Sequence, residues 1–241
     1  MEIKRFFVEP SDINGDIVKI TGEEFYHLAI VLRHKVGYKV VISCSDDFDY
    51  NATITEIKKD YAICKIDERV PNCCTPKTNI HLYQAVIKNA KLDIVIQKAI
   101  ELGVKSITLF FSKNTNETNV NIERLNKIAK EASKQCGRSD LVKVNGIIEF
   151  DDMIDDIKQY ENIIIPYEYE DKVNFSTLDL KNKGDYALII GSEGGFNKEE
   201  VDRVKALNGK SVSLGNRILR AETASIVATS LLMYELGEFD K

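Results

Sequence analysis

The chain has 241 residues, of which 44% are hydrophobic and 29% are charged, and this composition is typical of a globular protein rather than a disordered or membrane protein. The net charge of −5 argues against a protein that coats nucleic acid nonspecifically, because such binding depends on many phosphate contacts. The five cysteines contain no CxxC pair and the three histidines have no ligand spacing, so neither a disulfide framework nor a metal site is predicted.

The start of the chain carries an acidic residue and lacks both an extended apolar segment and a small-residue cleavage site. It therefore predicts no secretory signal and a cytoplasmic location.

Short strand-like segments dominate the region from Lys4 to about Asp67, which predicts a small β-barrel. The predicted strands cover residues 6–8, 17–20, 39–42, 52–57 and 61–66. One helix is predicted among them, over residues 23–33. Residues 70–77 contain two prolines and end the pattern. We therefore expect two domains, residues 1–72 and 73–241.

Strands and helices alternate after that boundary, which predicts an α/β domain with a largely parallel sheet. The predicted strands cover residues 80–85, 107–111, 162–165, 187–190 and 211–214, and the predicted helices residues 91–102, 122–136, 198–207 and 222–236. Asn197 and Glu200 have the spacing of a capping box at the start of one helix.

Two glycine-bearing turns follow predicted strands, at residues 189–196 and 214–224. Ligands of open α/β sheets bind beyond the carboxyl ends of the strands, where glycine lets the backbone approach them. No G-x-G-x-x-G pattern follows a strand, and Gly209-Lys210-Ser211 lacks the first glycine and the preceding strand of a P-loop. Each turn alone is equally consistent with an ordinary tight turn, so the ligand stays open on this evidence.

A set of segments occurs in a fixed order along nearly the whole chain. The segments are Arg5-Phe6-Phe7, residues 27–33 before Gly37, residues 97–104, Gln135-Cys136-Gly137-Arg138, residues 191–196 and residues 214–224. Together they resemble the ribosomal small subunit methyltransferase E family, which makes N3-methyluridine in 16S ribosomal RNA. The ordered set is far more specific than any single segment.

The resemblance implies an α/β fold, in which a SPOUT-type trefoil-knotted methyltransferase domain is preceded by a small PUA-like β-barrel domain. It implies an S-adenosylmethionine-dependent 16S rRNA (uridine-N3)-methyltransferase that acts on the small ribosomal subunit, without a metal or a membrane. It also implies a homodimer formed through the knot domain. Two alternatives stay open: a knotted methyltransferase acting on another RNA such as tRNA, and a noncatalytic RNA-binding module.

The resemblance also implies roles for individual residues. The implied cofactor-binding residues are Ile190, Gly191, Glu193, Gly194, Gly195, Leu214, Gly215, Ile218, Leu219 and Thr223, with residues 166–168 as a third cofactor loop. The implied catalytic residues are Arg220, Arg138 and Glu222, with Glu193 as a second candidate base. The implied RNA-binding residues are Arg5, His27, Arg33, Lys88 and Arg217. Apolar residues of the last helix, among them Leu231 and Tyr234, are either core or dimer interface.

Three positions depart from the family pattern. Ser192 stands where proline is usual, and Ala221 replaces a common threonine. Ser112-Lys113-Asn114 replaces a Ser-Glu/Thr-Arg pattern, which leaves the RNA contact of that loop open.

Overall fold

The computed structural model describes residues 3–117, 119–180 and 184–240. The chain divides into two compact units: the first holds Met1–Thr75 and Ser133–Leu141, and the second holds Pro76–Ala132 and Val142–Lys241. The sequence pattern predicts one boundary after residue 72 and does not indicate that Ser133–Leu141 belongs with the first unit.

Polar contacts explain why Ser133–Leu141 belongs to the first unit. The Lys134 ammonium lies 3.0 Å from the Glu24 carboxylate, and neither side chain is more than 10% exposed. The Asn72 amide donates a hydrogen bond of 2.9 Å to the carbonyl oxygen of Gly137. Such long-range pairs leave no periodic signal in a sequence.

The first unit is built on a six-stranded sheet with the strand order β1-β4-β5-β6-β3-β2. Its strands are β1 (Lys4–Phe7), β2 (Ile13–Asn14), β3 (Ile17–Thr21), β4 (Lys39–Ser43), β5 (Phe48–Ile57) and β6 (Tyr61–Pro71). β1 and β4 are parallel, and the other neighbours are antiparallel. One side of the sheet buries a single apolar core that includes Phe6, Ile20 and Leu28, as expected of a small barrel-like domain.

The predicted helix of the first unit is only partly correct. Helix α1 (Gly22–Tyr26) continues as one turn of π-helix over His27–Val31, and the chain then leaves the helix. Arg33 has a φ of 53°, in the left-handed region that a helix does not contain.

The second unit contains a wholly parallel six-stranded sheet with the strand order β12-β10-β11-β7-β8-β9. Its strands are β7 (Ile80–Ala85), β8 (Ser106–Phe111), β9 (Val144–Glu149), β10 (Asn162–Pro166), β11 (Tyr186–Ile190) and β12 (Lys210–Val212). Its helices are α2 (Asn89–Glu101), α3 (Ile122–Cys136), whose last residues belong to the first unit, α4 (Phe150–Asp156), α5 (Lys198–Ala206) and α6 (Ala221–Glu235). The prediction of a parallel α/β domain is confirmed, although the sequence pattern missed β9 and α4.

Burial explains the central strands of this sheet. All five residues of β11 are buried, and apolar residues cover both faces, as is usual for strands between two layers of helices. α2 buries Leu92, Val95, Ile96 and Ala99, which recur at helical spacing. None of the helices in the described part of the chain is both long and apolar enough to cross a membrane.

Candidate active site

A cavity of about 420 Å³ opens in the second unit at the carboxyl ends of β10, β11 and β12, which are neighbours in the sheet. The loops after these three strands line it, over residues 166–171, 190–196 and 213–219, together with Ala221 and Ala224 of α6. This volume lies in the range of about 300–1,000 Å³ that is typical of small-molecule sites. The place is the one that the two glycine-bearing turns predict.

Two glycines of the turn after β11 lie very close to neighbouring side chains. A Cβ atom on Gly195 would lie 2.8 Å from a carboxylate oxygen of Glu168, and Gly195 also has a φ of 66°. A Cβ atom on Gly191 would lie 3.2 Å from the ring of Phe196. Phe196 itself is buried and stacks on Phe110, with an interplanar angle of 4°. The turn therefore lines the cavity with backbone atoms of glycine, and the packing of Phe196 on Phe110 holds the turn in place.

The loop after β12 forms the opposite wall. Gly215 has a φ of 96°, and a Cβ atom there would meet nothing within 4 Å, so conformation rather than space favours glycine. Ile218 is 91% exposed, and so high an exposure is unusual for a large aliphatic side chain.

The loop after β10 brings acidic side chains to the cavity: Glu168, Glu170 and Asp171. The hydroxyl of Ser211 donates a hydrogen bond to Glu170, and this bond, with those from the N–H groups of Lys172 and Val173, lowers the pKa of the Glu170 carboxyl against the effect of burial. Glu193 adds a fourth carboxylate, whereas Arg217 is the one cationic side chain among the lining residues that the structure describes. The charge of this cavity suits a cationic ligand.

Lys91, in the first turn of α2, joins two glutamates from separate elements. Its ammonium lies 3.4 Å from Glu193 Oε1 and 3.7 Å from Glu222 Oε2. Burial raises the pKa of Glu193, but hydrogen bonds from the backbone N–H groups of Lys88 and Glu193 and from Lys91 outweigh it, so this pKa lies below its usual range. Glu222 Oε2 is buried and accepts no hydrogen bond from the described residues.

The structure brings together nearly all the predicted cofactor residues. Ile190, Gly191, Glu193, Gly194, Gly195, Leu214, Gly215, Ile218 and Leu219 all line the cavity, and Thr223 does not. Arg220 is the exposed N-cap residue of α6, and Glu222 lies in the first turn of that helix, directly after the third loop.

Four other predicted residues belong to the first unit, whereas Arg217 lines the cavity. Arg138 belongs to the first unit, where its guanidinium is 1% exposed and makes two hydrogen bonds of 2.8 Å to Asp140. Arg5 is 10% exposed and pairs with Asp49. His27 is half-buried on the π-helix, whereas Arg33 is exposed.

Several residues that support the cavity are absent from the prediction. Asn114 donates hydrogen bonds to the glycine turn, and Ser192 donates one to the backbone of Asn114. Gln84, wholly buried at the end of β7, donates to the carbonyl oxygen of Gly191 at 3.4 Å. A polar residue at the end of a buried strand is a weak signal for Gln84, and departure from the family pattern is the signal that marks Ser192 and Asn114.

Comparison with known proteins identifies the class to which this fold and site belong. A family model for an RNA methyltransferase domain matches residues 74–233, and a model for an RNA methyltransferase PUA domain matches residues 20–67. The protein is thus an RNA methyltransferase with a PUA domain.

Two relatives identify the family more closely. Ribosomal RNA small subunit methyltransferase E of Bacillus subtilis is 27% identical over 97% of each chain. The protein of the same name from Buchnera aphidicola subsp. Acyrthosiphon pisum is 30% identical and is matched over 99% of this chain and 96% of its own. The chain belongs to the ribosomal RNA small subunit methyltransferase E family.

Solved structures agree with this assignment. A Legionella pneumophila protein in complex with the bound cofactor SAM superposes with a TM-score of 0.86 at 26% identity, over 97% of this chain and 98% of that one. The ribosomal RNA small subunit methyltransferase E of Neisseria gonorrhoeae, bound to S-adenosyl methionine, has the same fold, with a TM-score of 0.86 at 24% identity over the same shares.

Proposed function

We propose that this protein is a 16S rRNA (uridine-N3)-methyltransferase, which transfers the methyl group of S-adenosylmethionine to N3 of a specific uridine in the small ribosomal subunit. The observation that carries the proposal is the cavity at the ends of β10, β11 and β12, lined by nine of the ten predicted cofactor residues. Family membership supports the rRNA substrate.

The cavity fits S-adenosylmethionine in shape and in charge. Gly191, Gly194 and Gly195 line the cavity and carry no side chain that could keep a ligand away from the backbone. Glu168, Glu170 and Asp171 supply negative charge to a ligand that carries a sulfonium and an ammonium group. When bound, this cofactor supplies a methyl group on a good leaving group.

The residues of this chain must then position the uridine and deal with the proton on its N3 atom. Uridine N3 holds a proton at neutral pH, so a base must accept it or a cation must stabilise the anion. We assign the stabilising role to Arg220, which is exposed directly after the third cavity loop.

We assign the proton acceptor to Glu222 rather than to Glu193. Glu193 already accepts hydrogen bonds from Lys88 and Lys91 that favour its charged form, which makes it a weak base. Glu222 Oε2 accepts no hydrogen bond from the described residues, and its distance of 3.7 Å from the Lys91 ammonium is longer than the 3.4 Å of Glu193. Arg138 and Arg5 have no role in this proposal, because the carboxylates of Asp140 and Asp49 already hold their guanidinium groups.

RNA binding is assigned to His27 and Arg33 in the first unit and to Lys88 and Arg217 in the second. The segment from Phe25 to Ser45 contains no acidic residue but carries Arg33, Lys35 and Lys39, in a chain whose net charge is −5. Local cations of this kind attract phosphate groups, while shape selects a structured RNA.

A homodimer through α6 is also part of the proposal. The buried face of this helix packs in the second unit, yet Leu231 and Tyr234 on another face are 36% and 66% exposed. A helix that is apolar on most of its circumference is usually buried on most of it.

The five free cysteines are typical of a reducing compartment, which favours the cytoplasm.

The experiment is transfer of labelled methyl from S-adenosylmethionine to small ribosomal subunits, naked ribosomal RNA and transfer RNA, all from cells that lack this protein. Label on small-subunit RNA supports the proposal. Label on transfer RNA alone would favour the same chemistry on another RNA. Cofactor binding without label on any RNA would favour a noncatalytic module.

A further inference from the structure

The loop after β8 lines no part of the cavity, yet its side chains hold the glycine turn from outside. Asn114 Nδ2 donates hydrogen bonds to the carbonyl oxygens of Gly194 and Gly195, at 3.1 and 3.2 Å. The hydroxyl of Ser192 donates in the other direction, to the carbonyl oxygen of Asn114 at 3.0 Å. Three hydrogen bonds therefore join Asn114 to the turn.

Gly194 in the turn and Asn114 in the loop after β8 are in close contact. A Cβ atom on Gly194 would lie 2.7 Å from the Cβ atom of Asn114 and 3.3 Å from its carbonyl oxygen. Gly194 is thus required by Asn114 rather than by the cavity. The turn and this loop form one packed layer.

The loop is itself anchored on the side away from the turn. The N–H group of Lys113 donates to Glu200 Oε1 at 2.9 Å, and the other oxygen of Glu200 accepts from the N–H group of Asn197 at 2.9 Å. Glu200 is 5% exposed. Thr115 Oγ1 accepts from the N–H group of Ser112 at 2.9 Å, which closes the loop. Asn114 therefore acts from a fixed position.

Fixing these carbonyl groups fixes the turn. The C=O and N–H groups of a trans peptide point in opposite directions, so a donor that holds two successive carbonyl oxygens on one side sets the planes of both peptides. These peptides belong to Gly194, Gly195 and Phe196, which all line the cavity.

We propose that Asn114 is a positioning residue for the cofactor: its side-chain amide holds the glycine turn in the conformation that binds S-adenosylmethionine. This inference rests on the proposed function of the cavity. Preorganisation of a binding loop contributes to affinity, whereas the chemical step depends on groups that touch the reacting atoms. Loss of the amide therefore weakens cofactor binding and changes the rate at saturating cofactor much less.

The test is Asn114→Asp, which keeps the size of the side chain and replaces the donor by a carboxylate that repels both carbonyl oxygens. Calorimetry is expected to give a Kd for S-adenosylmethionine at least about tenfold higher, the effect of losing about 1.4 kcal/mol of hydrogen bonding. The KM for the cofactor should rise in parallel, and kcat should fall less than about threefold.

The matched control is Asn116→Asp, which adds the same charge at an exposed position of the same loop. Its Kd is expected to equal that of the parent. Ser192→Ala, which removes the reciprocal hydrogen bond, is a second and milder variant, with an expected rise of about threefold in Kd. It keeps the test available if Asn114→Asp does not fold.

The outcomes separate the two proposals. A parent protein that does not bind S-adenosylmethionine contradicts the proposed function of the cavity. A parent that binds it, with Asn114→Asp and Ser192→Ala folded and equal to the parent in Kd, contradicts the role of Asn114 alone. A loss confined to kcat, with Kd unchanged, also contradicts the positioning role.

Discussion

Gly195 combines two constraints that rarely coincide at one residue. Its φ of 66° strains any L side chain, and the Glu168 carboxylate occupies the place that a Cβ atom would need. The left-handed conformation alone costs a non-glycine residue about 1–2 kcal/mol. The Glu168 carboxylate, at the end of a flexible side chain that also lines the cavity, would have to move aside.

Gly195→Ala is therefore expected to weaken binding of S-adenosylmethionine by more than about tenfold, measured by calorimetry. Gly15→Ala is the matched control, because Gly15 has a φ of 61° and nothing lies within 4 Å of its Cβ position. Both variants should lose about 1 kcal/mol of stability. Equal cofactor affinity in the Gly195→Ala and Gly15→Ala variants would contradict a role for Gly195 in the cavity and leave backbone conformation as the reason for glycine at position 195.

Arg220 is the residue on which the proposed chemistry depends most. Arg220→Ala is expected to lower kcat by about a hundredfold, the usual effect of removing one group that stabilises a developing anion. Its Kd for cofactor should stay within about twofold of the parent. Arg203→Ala, which removes an exposed arginine paired with Asp151, is the control. Normal binding with a parental rate in Arg220→Ala would remove Arg220 from the mechanism.

The cofactor role of the two glycine-bearing turns came from the family resemblance, and residue types by themselves indicated only a possible ligand site at the strand ends. They did not predict the burial of Arg5 and Arg138, because an arginine in a motif looks the same whether it faces a ligand or a carboxylate. Ser192 and Asn114, which appear in the sequence as two separate departures from the family, contact each other in the structure.

Among the elements, β1 and β5 are joined by a partly buried charge pair, Arg5 with Asp49. Burial raises the pKa of Asp49, but hydrogen bonds from Arg5, Asn72 and Ser43, together with the charge of Arg5, outweigh it and hold this pKa below its usual value of 3.8. A carboxyl whose pKa is lowered in the folded state stabilises that state above the unfolded pKa. The contribution is lost as the pH falls through the folded pKa.

Asp49→Asn is expected to lower the free energy of unfolding at pH 7 by about 1–2 kcal/mol, because it removes the anionic partner of the partly buried Arg5 guanidinium. The difference from the parent should shrink as the pH falls below 3.8, where the parent carboxylate takes up its proton. Urea unfolding at several pH values measures both effects. Asp60→Asn, at an exposed carboxyl between β5 and β6, should leave the profile unchanged. A pH-independent difference between Asp49→Asn and the parent would contradict the assigned cause.

The elements that the sequence missed share weak local signals. β9 is an edge strand that contains Gly146 and leaves most of its residues partly exposed, so its alternation is poor. α4 is short and rich in aspartate. The helix predicted over residues 23–33 stops early because its last turn is π-helical, which periodicity does not distinguish from an α-helix.

At the scale of the whole molecule, the apolar outer face of α6 predicts self-association. The double variant Leu231→Glu, Tyr234→Glu places two charges on this face and is expected to convert a dimer into a monomer in analytical ultracentrifugation. Glu235→Lys, which changes charge at an exposed neighbouring position, should remain dimeric. A parent protein that sediments as a monomer at micromolar concentration would contradict the interface.

Local patterns identified both kinds of domain, because alternation and helical spacing persist over whole elements. They did not indicate that Ser133–Leu141 belongs to the first unit, since that depends on pairs such as Lys134 with Glu24 that are distant in sequence. The trefoil knot came from the resemblance alone and stays a prediction, because no periodicity encodes how a chain threads.

The most direct test of the central claim is nucleoside mass spectrometry of small-subunit RNA after reaction with the purified protein and S-adenosylmethionine. The substrate is small subunits from cells that lack this protein, and Arg220→Ala serves as the catalytic control. We predict one new N3-methyluridine per 16S rRNA with the parent and almost none with the variant. Methylation at C5 or at the ribose 2′-hydroxyl, or no methylation, would contradict the account.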